Sequence, residues 1–129
     1  MNMIEKSSII HTNSNIGENV SVGHYSVVGP NVKIGKNCII HSHVVIDGDT
    51  TIGSGNIIYP FSVIGSKPQH LKYDGEKSKL IIGDNNIIRE HVTMHPGTEI
   101  GIKKTVVGNN GFFMVGSHVA HDCIVGNNV

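Results

Sequence analysis

From Ile4 to Ile64 an aliphatic residue stands at every sixth position without a miss: Ile4, Ile10, Ile16, Val22, Val28, Ile34, Ile40, Ile46, Ile52, Ile58 and Ile64. Glycine follows many of them at once, as in Ile16-Gly17, Val22-Gly23, Ile34-Gly35 and Ile52-Gly53. Compact residues recur four places after them: Val20, Ser26, Val32, Cys38, Val44, Thr50 and Ser62. A period of six fits neither an amphipathic helix nor simple strand alternation. It is the signature of a parallel β-helix built from hexapeptide repeats. Each hexapeptide makes one short strand and one turn, and three close a triangular coil. Coils then stack at the ordinary strand spacing of about 4.8 Å. The repeat aliphatics point inward as continuous ladders. The glycine behind each is expected to relieve the turn by taking a positive φ.

Composition agrees. Ile and Val number 34 of the 129 residues, against two Leu, and β-branched side chains suit a pleated surface. Formal net charge is zero with histidine neutral, so there is no electrostatic case for nucleic acid or a membrane surface. No run approaches the roughly 20 apolar residues of a membrane-spanning helix, and the polar start has no secretory pattern. Cys38 and Cys123 both stand four places after a repeat aliphatic, which assigns them to small core packing in a reducing, cytoplasmic setting.

The period breaks twice. In phase, positions 70 and 76 should be aliphatic, yet they hold His70 and Glu76. Residues near 65–81 are polar and charged, with Pro68 and Gly75, and are expected to leave the coil as a loop. A second interruption lies near 95–106, although Ile100-Gly101 is in phase and could be a true repeat. With both stretches outside the coil, eighteen hexapeptides remain, about six coils in a single domain spanning 1–129. Ile64, Met94 and Val119 then stack at one corner. Both loops leave from that corner, and His121 should lie just above His95.

Nine histidines is a high count, and most suit a solvated surface. One cluster stands apart: Gly116-Ser117-His118-Val119-Ala120-His121-Asp122-Cys123. With Val119 and Cys123 inward, His118, His121 and Asp122 face outward on a rigid wall. An imidazole near neutral pKa can take a proton from a hydroxyl. A neighbouring carboxylate can hold the ring's other nitrogen. By residue type alone, His118 with His121, or His41 with His43, could instead ligate a metal.

The run Ala120-His121-Asp122-Cys123, with His118 before it, resembles the active-site segment of the UDP-N-acetylglucosamine O-acyltransferases, acyl-carrier-protein-dependent members of the hexapeptide-repeat acyltransferases. So do Ser42-His43-Val44-Val45, Ile58-Tyr59-Pro60-Phe61, the loop Pro68-Gln69-His70-Leu71-Lys72-Tyr73-Asp74-Gly75-Glu76, Ile88-Arg89-Glu90 and Val92-Thr93-Met94-His95-Pro96-Gly97-Thr98. The resemblance covers the whole chain, both interruptions included. It implies an all-β, left-handed parallel β-helix that trimerises with active sites between subunits, against the right-handed general rule for crossovers. It also implies transfer of an (R)-3-hydroxyacyl group from acyl carrier protein to the 3-hydroxyl of UDP-N-acetylglucosamine, with no cofactor and no metal. His121 matches the general base and Asp122 its partner. Lys72, His118, His95, Gln69, His70 and Met114 match substrate-binding or cleft positions.

Two departures from the family pattern carry consequences. His70 stands where many members have Asp, which opens the acceptor question between the N-acetyl sugar and a 3-amino analogue. The family chain is about twice as long, so further coils and a helical C-terminal domain would lie beyond Val129, and this chain alone is expected to be inactive. Two other readings compete: a zinc-dependent carbonic anhydrase of the γ type on the same fold, and a non-catalytic oligomerising scaffold.

Overall fold

The computed structural model describes residues 1–129. It contains eighteen short strands and no helix. They form three parallel sheets of six strands each, and every strand pairs with the strand three places on. The first sheet holds β1 (Met3–Ile4), β4 (Ser21–Val22), β7 (Ile39–Ile40), β10 (Ile57–Ile58), β13 (Ile87–Ile88) and β16 (Phe112–Phe113). The second holds β2 (Ile9–Ile10), β5 (Val27–Val28), β8 (Val45–Ile46), β11 (Val63–Ile64), β14 (Thr93–Met94) and β17 (His118–Val119). The third holds β3 (Asn15–Ile16), β6 (Val32–Ile34), β9 (Asp49–Ile52), β12 (Lys79–Ile82), β15 (Lys104–Val107) and β18 (Ile124–Val125). Chain order runs through sheets one, two and three and begins again one level up. The result is a left-handed triangular prism of six coils.

The last residue of each strand carries the core. Ile40, Ile46, Ile52, Ile58, Ile64, Ile82, Ile88 and Met94 are fully buried. Each buried side chain of this size is worth about 1.5–3 kcal/mol over its exposed state. The compact positions fill the corners. Ser26, Thr50, Asn56, Ser62 and Asn86 are buried and polar, and each is hydrogen-bonded. Cys38 is buried as expected. Cys123 is not: it belongs to the top coil, nothing stacks on it, and it is exposed.

Gly65, behind Ile64, takes the expected positive φ, at 89°. Most of the other glycines behind the repeat aliphatics do a different job: positive φ falls three residues after the aliphatic, at Asn19, Tyr25, Asn37, His43, Gly55, Phe61, Asn85, His91, Asn110 and Asp122. At Gly17, Gly35 and Gly108 the demand is for space. An added Cβ would come within 2.6–2.9 Å of backbone atoms in the coil above. Glycine there lets successive turns stack directly.

The three edges of the prism differ. The first edge, between sheets one and two, is crossed in four residues every time, and so is the third. Connections across the second edge vary: 29–31 and 47–48 are short, whereas 65–78 and 95–103 are long. Ile64 pairs with Met94 and Met94 with Val119, so both long loops leave one corner on successive levels. Ile100 is exposed and in no strand. Gly101 beside it is a repeat glycine only in appearance: an added Cβ there would meet the Asp122 carboxylate.

Candidate functional site

The second edge of the sixth coil is the short turn 120–123 between β17 and β18. Asp122 occupies its positive-φ position, at φ 63°. That conformation suits Asp, whose short polar side chain tolerates it. The backbone is pinned where Asp122 N donates to Thr105 Oγ1 at 3.0 Å. The side chain reaches down onto the second loop. Its Oδ1 accepts from Thr98 N at 2.8 Å and from Ile102 N at 3.0 Å. Its Oδ2 accepts from Thr98 Oγ1 at 2.6 Å and lies 2.8 Å from His121 Nδ1. Burial pushes the Asp122 carboxyl upward, but the donors of Thr98, His121 and Ile102 together outweigh it and hold it at about 2.

An ionised Asp122 fixes the state of His121. Only a protonated Nδ1 can donate to Oδ2, so the neutral ring keeps its lone pair on Nε2. The His121 side chain is 29% exposed, turned out from the core and reachable. This is the arrangement in which an imidazole acts as a base while its orienting carboxylate stays charged.

Three further histidines surround it. His70, carried in by the loop 65–78, meets His121 edge-on with ring centroids 5.0 Å apart. Its Nδ1 accepts from Lys72 N at 3.2 Å. His118 and His95 meet in the same edge-on way at 4.8 Å. The ring of His95 thus meets His118, one level above, and His121 stands within electrostatic reach of it. Thr93 Oγ1 lies 2.7 Å from His118 Nδ1, and Gln69 Nε2 lies 3.3 Å from His118 Nε2. With the Gln69 amide donating to Nε2, neutral His118 carries its proton on Nδ1 and gives it to Thr93. His95 Nδ1 is buried with no hydrogen-bond partner. Burial first, then repulsion from His118 and His121 when they are protonated, lowers its pKa below the ordinary value.

Of the eight positions singled out in the sequence, His121, Asp122, His118, His95, His70 and Gln69 therefore share one surface. Lys72 is on the same loop, with its side chain exposed and outside every ion pair. Met114 is exposed on the first edge, across the second sheet from the histidines. No three His, Cys, Asp or Glu side chains converge at metal-ligating spacing. His41 and His43 are separated: His41 stacks on Tyr59 at 4.7 Å, while His43 sits between Tyr25 and Phe61. A polar cavity of about 550 Å³ opens at the foot of the first loop, lined by Asp47, Asp49, Lys67, Tyr73 and Glu76 among others. None of the four histidines lines it.

Sequence reasoning missed Thr98, Thr93 and the Ile102 amide. The available signal was local. Gly97 and Gly101 flank Thr98, and at both a Cβ would collide, with Lys103–Lys104 backbone and with the Asp122 carboxylate respectively. Two glycines where no coil turns mark a close approach to something else.

Residues 13–48 and 31–66 match the family described as bacterial transferase hexapeptide (six repeats). The acyl-(acyl-carrier-protein)–UDP-N-acetylglucosamine O-acyltransferase of Rickettsia bellii is 52% identical over 120 residues, 93% of this chain and 43% of that protein. That of Helicobacter acinonychis is 54% identical over 127 residues, 98% of this chain and 47% of that protein. The solved UDP-N-acetylglucosamine acyltransferase of Bacteroides fragilis superposes with a TM-score of 0.94 at 47% identity, over 97% of this chain and 49% of that one. The chain thus spans a little under half the length of the curated relatives it matches. Repeat, loops and coil path thus agree with a likeness, over nearly all of this chain, to one part of the UDP-N-acetylglucosamine O-acyltransferases.

Proposed function

We propose that this chain supplies the base-bearing coils of an O-acyltransferase that moves an (R)-3-hydroxyacyl group from acyl carrier protein to the 3-hydroxyl of UDP-N-acetylglucosamine. The observation that carries the proposal is the His121 Nδ1–Asp122 Oδ2 contact of 2.8 Å, which leaves Nε2 free to accept a proton. A sugar hydroxyl is a poor nucleophile toward a thioester, and its deprotonation during attack is the step in need of help. His121 Nε2 takes that proton as the new C–O bond forms. The imidazolium, stabilised by Asp122, then returns it to the departing thiolate of the carrier as the C–S bond breaks. Lys72 offers a free cation to the nucleotide phosphates. His118, His95, Gln69 and His70 line the approach of sugar and acyl group, with Met114 on the first edge beyond the second sheet.

The working form is a homotrimer. Sheets one and two turn Met3, Ile39, Ile87, Phe112, Ile9 and Val27 outward, and all six are exposed. Between them the first edge carries a stack of Tyr25, His43, Phe61 and His91 with centroids 5.2–5.4 Å apart. An apolar surface of this extent calls for a cover, and sheet one of one copy set against sheet two of the next is a head-to-tail contact that can close into a ring of three. Further coils and a helical C-terminal segment complete the uridine and acyl-chain sites. A carrier-bound donor is a cytoplasmic species, so the protein acts in the cytoplasm. No helix is long and apolar enough to cross a membrane.

Acyl transfer from hydroxyacyl carrier protein to UDP-N-acetylglucosamine, assayed on the protein at its full natural length, tests the proposal. His121→Ala is expected to lower the rate on the order of 10²–10⁴-fold, the usual worth of a general base. An unchanged rate would remove His121 from the chemistry.

A further inference from the structure

The two long loops are tied to each other as well as to the site. Glu76, in the first loop, accepts from Asp74 N through Oε1 at 2.7 Å and from Glu99 N through Oε2 at 3.1 Å. The first bond shapes its own loop. The second reaches across 23 residues to the neighbouring loop. Tyr73 Oη donates to Glu76 O at 3.2 Å and stiffens the same turn. Glu99 directly follows Thr98, whose amide and hydroxyl both hold Asp122. The first loop also delivers His70 to the edge of His121. The contacts therefore close into a ring: Glu76 to the second loop, that loop to Asp122, Asp122 to His121, His121 to His70, and His70 back along its own loop to Glu76. Neither loop has a strand of its own between 65 and 78 or between 95 and 103. Without a cross-tie, each would be free to move independently of the rigid coil behind it.

We propose that Glu76 is a positioning residue, a latch that fixes one loop on the other and so keeps Thr98 on Asp122 and His70 against His121. The role rests on the acyltransferase reading for its purpose, but not for its geometry. Its carboxyl is held below the usual carboxylate range by the Asp74 amide first and the Glu99 amide second, as a carboxylate that accepts backbone donors should be. Glu76 makes no hydrogen bond to a histidine and no salt bridge; its hold on the site runs through the Asp74 and Glu99 amides, with the charge of His70 a lesser influence on it.

The test is Glu76→Ala in the full chain, read by amide exchange and by carboxyl titration of Asp122 in NMR. Thr98 and Ile102 amides are expected to lose protection by about tenfold or more, the size of one lost tie in a local opening. The Asp122 carboxyl should move from about 2 toward its ordinary 3.8. Strand amides such as those of Ile82 and Ile88 should keep their protection. Glu76→Gln retains one acceptor oxygen and should recover part of both effects. Unchanged Thr98 protection and an unchanged Asp122 titration would overturn the latch. So would a loss of protection spread evenly over the strands, because that is a folding role. In the acyl-transfer assay Glu76→Ala should lower kcat by about tenfold or more, up to the roughly hundredfold cost of a catalytic group misplaced by about 1 Å. If the NMR changes appear while wild-type protein transfers no acyl group, the latch stands and the proposed reaction falls.

Discussion

The second and third edges of the prism are made from the same repeat and have opposite characters. On the third edge the five connections between strands each turn in four residues and open with glycine: Gly17, Gly35, Gly53, Gly83 and Gly108, with Gly126 in the same column. Two places later Asn19, Asn37, Asn85, Asn110 and Asn128, with Gly55 among them, stack at positive φ, and Asn19 Nδ2 donates to Asn37 Oδ1 at 2.9 Å. One side chain serves the backbone of the level below, as where Asp84 N donates to Asn109 Oδ1 at 2.6 Å and Asn109 N to Asn127 Oδ1 at 2.8 Å. The third edge spends all its polar groups on itself. The second edge keeps no such register. Its turns change length from level to level, two of them run out as loops, and its polar groups converge on His121. The difference teaches how this scaffold takes on chemistry: two edges hold the coil rigid, which leaves the other free to vary without loss of the fold.

If that division holds, the largest effect on stability comes from the third edge. Gly83→Val would drive its Cβ to 2.7 Å from Gly108 O and into the Asn109 side-chain oxygen. Backbone cannot yield as a side chain can, so the coils must separate. The expected cost is about 3 kcal/mol or more, at the upper end for overpacking, measured as a fall in melting temperature. A variant that melts like wild type would show that the glycine column is not what sets the stacking.

The second edge should respond in the site rather than in the fold. Thr98→Val removes the 2.6 Å hydroxyl bond to Asp122 and spares the Thr98 amide bond. Loss of one hydrogen bond to a charged group costs about 1.5–3 kcal/mol where it is fully buried, and on the order of 1 kcal/mol at this part-exposed site. The Asp122 carboxyl should titrate above its present value of about 2. The sign with pH follows from that. A carboxyl whose folded pKa is depressed stabilises the fold above its unfolded pKa, near 3.8, and ceases to as pH falls through about 2. His95 adds a second, milder loss on the acid side. Its folded pKa lies below the ordinary 6.5, so the unfolded chain takes up the proton first and stability declines as pH drops below 6.5. Unfolding midpoints of wild type and Thr98→Val across pH 2–7 should diverge at neutrality and meet at the acid end. A constant gap would mean that the hydroxyl does not act through the carboxylate.

The coil was legible in the sequence because its cause is local and repeated. An inward aliphatic every six residues has one physical explanation, and the count of six levels followed once Ile64, Met94 and Val119 were placed in one column. The purpose of the glycines was not legible. A residue with no side chain permits both a positive φ and a close approach, and only the neighbouring level tells which is needed. His121 and Asp122 could be read as a pair because they are adjacent and flank an inward Val119. The Thr98 cradle could not, since it depends on a loop of irregular path folding under a turn 24 residues away. Ile100-Gly101 shows the limit most clearly. The dipeptide copies the repeat in letters, but its glycine makes room for a carboxylate and its isoleucine faces solvent.

The smallest effect is expected where the second edge is farthest from the coil. Gly75 has φ +75°, yet nothing lies within 4 Å of a Cβ built on it. Only the strain of a left-handed backbone then opposes Gly75→Ala, roughly 1 kcal/mol, partly offset by the lower entropy of the unfolded chain. The melting temperature should therefore shift by no more than a few degrees, against the large fall at Gly83. The two substitutions both add a Cβ to a turn glycine and differ in whether another level lies above it. Equal losses at the two positions would mean that glycine serves this chain through φ alone. The coil-stacking account of the third edge would then have to be given up.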